Sequence, residues 1–84
     1  MTRQEANKIK KVLNGDYRVY YKGETEELRV IVYTYYEKYY RKDVENIEIL
    51  KLLNRVSKSG HRPKFEIAHK TYQGFINNTY VVFK

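Results

Sequence analysis

The sequence predicts an α+β domain in which two amphipathic helices cover one face of a four-stranded antiparallel sheet. Three observations lead there. Apolar residues recur at three- and four-residue spacing in two separated stretches, Tyr- and Val-rich runs follow each stretch, and polar or glycine-containing segments divide the runs. The order helix, strand, strand, helix, strand, strand suits one sheet with both helices on a single face and the other face in water. Eighty-four residues make a single small basic domain, 1–84, because a chain this short buries only about 60–65% of its unfolded surface and has none to spare for a second core.

The first helix opens on Thr2 and Glu5, a capping-box pair in which each side chain satisfies a free backbone donor of the other residue. Ala6, Ile9, Val12 and Leu13 form its apolar stripe, and Arg3, Lys8, Lys10 and Lys11 lie outside it. Asn14-Gly15 ends the helix, since Asn and Gly tolerate the left-handed conformation. Two strands follow, Asp16 to Lys22 and Glu27 to Tyr36, joined by the polar Gly23-Glu24-Thr25-Glu26. Alternation turns Tyr17, Val19 and Tyr21 inward with Leu28, Val30 and Val32. It turns Arg18, Tyr20 and Lys22 outward with Arg29, Ile31, Tyr33 and Tyr35.

From Tyr35 to Lys42 no periodicity decides between strand, turn and helix. The second helix then begins with Asp43 or Asn46 as N-cap, and Asp43, Glu45 and Glu48 complement the positive end of its dipole. Ile49, Leu52, Leu53 and Val56 form its buried stripe, widened by Ile47 and Leu50, with Lys51, Arg55 and Lys58 toward the carboxyl end. Gly60 stops the helix and Pro63 prevents its resumption. In the remainder, Phe65 and Ile67 alternate with Glu66 and Ala68, and Tyr80 to Phe83 is a short apolar run. Either Gln73-Gly74 or Asn77-Asn78 supplies the second hairpin turn. Two short echoes, Ile9 to Asn14 with Ile49 to Asn54 and Tyr17 to Lys22 with Phe65 to Lys70, hint at duplication, although amphipathic helices of one alphabet often look alike.

The net charge of +7 attracts phosphates, anionic lipid heads or acidic protein surfaces. It resides at the chain ends: residues 1–22 hold six basic and two acidic side chains, 23–54 five and seven, 55–84 six and one. The absence of cysteine excludes disulfides and thiolate metal sites. With no signal-like or membrane-spanning apolar run, the expectation is a soluble, cytoplasmic protein. The weight of Lys, Asn, Ile and Tyr suits an AT-rich cellular or viral genome.

The outward tyrosines interleaved with cations make a recognition surface. Tyrosine stacks on bases, for about 1–3 kcal/mol each, while Arg and Lys neutralise phosphates. A non-enzymatic nucleic-acid-binding protein is therefore the leading expectation, with Arg18, Tyr20, Arg29, Tyr33 and Tyr35 as its sheet face. Lys8 and Lys11 of the first helix and the connector residues Lys58, His61, Arg62 and Lys64, flanked by Ser57 and Ser59, add phosphate contacts to DNA or RNA. The alternative is a protein-interaction module, such as a small regulator or a virus- or mobile-element-encoded inhibitor on an acidic host surface, because Tyr and Arg also dominate interface hot spots. Plain sheet packing explains tyrosines as well. The apolar-aromatic face also suits a homodimer. Catalysis has little to draw on: His61 and His69 are the only histidines, no metal-ligand spacing or cofactor motif occurs, and Glu66 and His69 point to opposite strand faces. A metal-independent ribonuclease using His61 with Lys64 or a Tyr is the residual enzyme reading.

Overall fold

The computed structural model describes residues 1–35, 40–72 and 75–84. Helix α1 (Arg3–Leu13) precedes strands β1 (Arg18–Lys22) and β2 (Glu27–Thr34), and helix α2 (Lys42–Lys58) precedes β3 (Phe65–Tyr72) and β4 (Phe75–Phe83). The strands form one antiparallel sheet in the order β1-β2-β4-β3. This is the expected α+β architecture. Each helix is followed by an outer strand and then an inner one, so the two halves are arranged alike about the β2–β4 seam.

Ala6, Ile9 and Leu13 of α1, Leu52 and Val56 of α2, Leu28, Val30 and Val32 of β2, and Val81 and Phe83 of β4 form one buried cluster. Both helices therefore lie on the same sheet face. Tyr17, Val19 and Tyr21 of β1 pack against that cluster as their alternation requires. The Thr2–Glu5 capping box starts α1, and Asn14 (φ 51°) and Gly15 (φ 80°) end it in the left-handed region. Arg55 then completes the end: its Nη2 donates to the carbonyls of Val12 and Leu13 at 3.0 and 3.1 Å, and its Nη1 lies 2.8 Å from the Asp16 carboxylate. Removing these partners with Arg55→Ala should cost about 1–2 kcal/mol, read as a lower urea midpoint with an unchanged m-value. A variant as stable as the parent would show that water replaces the guanidinium without loss.

Three local expectations change. The α2 N-cap is Arg41, in extended conformation and without a side-chain cap bond, not Asp43 or Asn46; Asp43 sits inside the first turn, bonded to the Arg41 guanidinium at 2.8 Å. Ile47 and Leu50 do not widen the stripe but are 51% and 58% exposed, because Glu45, Leu52 and Val56 are the helix residues pressed onto the sheet. Asn77 and Asn78 lie within β4, where Asn78 pairs with both Thr34 and Lys70, so they are not the hairpin turn. The competing pair, Gln73-Gly74, lies outside the described residues, as does 36–39 of the stretch without periodicity. Among the described residues no helix is long and apolar enough to cross a membrane.

Candidate functional site

Strand pairing sets the side chains of the open face in rows. Tyr20 pairs with Arg29, Arg29 with Val82 and Val82 with Glu66; Arg18 pairs with Ile31, Ile31 with Tyr80 and Tyr80 with Ala68. Further along, Thr34 pairs with Asn78 and Asn78 with Lys70. Val82 and Tyr80 are buried even though no helix covers this face. They belong to a central strand, paired on both sides with β2 and β3.

The acidic residues of the face are engaged at one end. Glu27 is 3.8 Å from Arg29 and 3.9 Å from Lys84, and Glu66 is 3.0 Å from Lys84. The Thr25 hydroxyl above all, and then Arg29, Lys84 and Lys22, hold the Glu27 carboxyl below its ordinary range against the opposing effect of burial. Arg18 and Lys70 have no carboxylate partner among the described residues, and Lys22 stands opposite Glu27 without closing to ion-pair distance. Between Arg18 and Lys22, Tyr20 stands 45% exposed.

Of the sheet-face candidates, Arg18, Tyr20 and Arg29 thus share the open face, and Tyr33 and Tyr35 do not. The pairs Ile31–Tyr80 and Tyr33–Thr79 leave Val32 without a partner, a β-bulge that rotates the strand beyond it. Thr79 faces α2, so Tyr33 does too and packs against the core. Tyr35 is buried, and its ring lies 4.5 Å from that of Tyr33 and 4.6 Å from that of Tyr40. Tyr33, half-buried, and Tyr35, buried, thus stand on the helix side, away from Tyr20.

The flanking cations separate as well. Lys8 and Lys11 are exposed on the outside of α1, across the molecule from the open face. Lys58, His61, Arg62 and Lys64 gather where α2 gives way to β3, and His61, Arg62 and Pro63 line a cleft with Met1, Glu5 and Ile9. The hydroxyls of Ser57 and Ser59 donate to the carbonyls of Asn54 and Val56 at 3.2 and 2.6 Å. Their protons are committed to the helix end, and a phosphate, which only accepts, would have to displace those bonds.

The structure also assembles a cluster that spacing concealed. Glu45 of α2 is 2% exposed, and its Oε2 accepts from Thr79 Oγ1 at 2.7 Å and lies 2.9 Å from His69 Nε2. A carboxylate only accepts, so the ring nitrogen donates. Tyr40 donates to Oε1 at 3.2 Å, and Lys42 Nζ is 3.7 Å away. Burial pushes the Glu45 carboxyl up, but the bonds from Thr79, His69 and Tyr40 outweigh it and hold it below its ordinary value. Burial, followed by the bond to Glu45, raises Tyr40. The one signal in sequence is that Glu45 stands four and seven residues before Ile49 and Leu52, on the inward side of the helix. Among the described residues, no three His, Cys, Asp or Glu side chains are placed to hold a metal ion.

No protein-family model matches the chain, and neither the curated proteins nor the solved structures include a significant match.

Proposed function

We propose that this protein binds single-stranded nucleic acid across the open sheet face. The observation that carries the reading is the exposed Tyr20 ring between Arg18 and Lys22, with Arg29 beside it on the next strand. The ring is a platform for one base, while Arg18, Lys22 and Lys70 meet phosphates without first breaking an ion pair. Lys8 and Lys11 fall outside the interface, and the Lys58–Lys64 connector forms a second cationic region at the edge. The reading assumes the cytoplasm, where a cysteine-free chain is at home.

Anisotropy titrations with single-stranded and duplex DNA and RNA, from low to physiological salt, test it. Affinity should fall with salt, by about 0.7 in the log–log slope for each phosphate contact. Tyr20→Ala should weaken single-strand binding by about 1–3 kcal/mol, Arg18→Gln and Lys22→Gln should reduce the slope, and Lys8→Gln should change neither. The absence of binding to any of these ligands would sink the proposal. Recovery of one stoichiometric acidic partner that resists nuclease would favour the protein-docking reading instead, for which the exposed Leu50, Phe65 and Ile67 speak.

A further inference from the structure

We infer that two copies of this chain associate through β3, whose edges pair antiparallel about a two-fold axis at Ala68 to join the two sheets. β3 is one of the two edges of the sheet, and its helix-side residues are left uncovered: Phe65 is 47% exposed and Ile67 38%. Across a groove of about 220 Å³ lined by Leu53, Val56, Pro63 and Phe83, they stand near the flank of α2 that also carries Leu50, 58% exposed. An apolar edge of this kind pairs with another strand unless charge prevents it.

The charges on the two edges have opposite consequences. A second copy of β1 centred on Tyr20, the middle residue of the strand, would set Arg18 opposite Lys22, like against like, so that register repels itself. In β3, Glu66 and Lys70 are equally distant from Ala68 and share its face. A two-fold axis at Ala68 therefore sets Glu66 of each copy directly opposite Lys70 of the other. Neighbouring registers lose this match: an axis at Ile67 opposes Lys64 to Lys70, and an axis at Glu66 or Lys70 opposes that residue to itself. The segment from Glu66 to Lys70 is regular, and the β-bulge that follows Lys70 limits pairing beyond it. On the helix side the same register brings each Ile67 beside His69 of the second copy. Edge pairing leaves the open faces accessible, but it engages Lys70, so in the dimer the phosphate contacts of the proposed function fall to Arg18 and Lys22.

Sedimentation equilibrium of the full chain, nuclease-treated and checked for folding by circular dichroism, tests the pairing. The parent should be a dimer. Glu66→Lys and Lys70→Glu should each raise the dimer dissociation constant roughly tenfold, since two attractive pairs become repulsive, and the double charge swap should restore it. Lys70→Glu leaves the Glu66–Lys84 ion pair intact, which separates dimer loss from damage to the fold. A monomeric parent at millimolar concentration, a dimer that neither single reversal weakens, or a double swap that fails to restore association would overturn the inference.

Discussion

Glu45→Ala should lower the unfolding free energy by about 2–4 kcal/mol. Thr79 is fully buried and donates to this carboxylate, so truncation leaves its hydroxyl without a partner where water does not reach. His69, one-third exposed, can rehydrate at less cost. The same site imposes an acid limit on stability. Because the folded carboxyl titrates below its ordinary value of 4.5, its contribution is complete above that pH and is lost as pH falls through the lower, folded value. Glu45→Gln should therefore be less stable than the parent near neutrality and lose less on acidification below 4.5. Urea unfolding of both variants as a function of pH measures this, and parallel pH profiles for Glu45→Gln and the parent would show that the carboxylate is not the titrating group.

Tyr35→Ala should cost about 3–5 kcal/mol, the range for removing a buried aromatic ring, because Tyr35 fills the space between Tyr33 and Tyr40 under the bulged end of β2. Tyr35→Phe should be neutral or stabilising by up to about 1 kcal/mol. Among the described residues the Tyr35 hydroxyl has no partner at hydrogen-bond geometry; the Thr79 hydroxyl beside it, which donates to Glu45, opposes the effect of burial only in part. Burial accordingly raises the Tyr35 pKa above 10.0. Thermal and urea melts of the two variants distinguish ring from hydroxyl, and a Phe variant as damaged as the Ala variant would reveal a bond that the hydroxyl makes. Neither substitution should alter the salt dependence of nucleic-acid binding, since neither touches the open face.

Local chemistry made much of this fold legible. The Thr2–Glu5 box and Asn14-Gly15 mark the limits of α1 because capping depends on residues within one turn. Tyr17, Val19 and Tyr21 face inward with Leu28, Val30 and Val32 because two-residue alternation holds while pairing is regular. Arg18, Tyr20 and Arg29 could be assigned to one face on the same ground. The margins of the α2 stripe are not legible in this way: Ile47 and Leu50 are apolar by composition, but the width of the covered stripe depends on what lies beneath the helix.

Residue pattern alone establishes the element order, both ends of α1 and the carboxyl end of α2, the inward sets of β1 and β2 before the bulge, and the concentration of positive charge at both chain ends. It takes the folded chain to show that Tyr33 and Tyr35 turn to the helix side and that Glu45 meets His69 and Thr79. Both depend on contacts between segments far apart in the chain. A bulge is a mismatch between two strands distant in the chain, and β2 meets β4 only after α2 and β3 have intervened. Alternation along β2 holds through Val32 and fails at Tyr33, because the partner strand supplies one residue fewer between Ile31 and Tyr33.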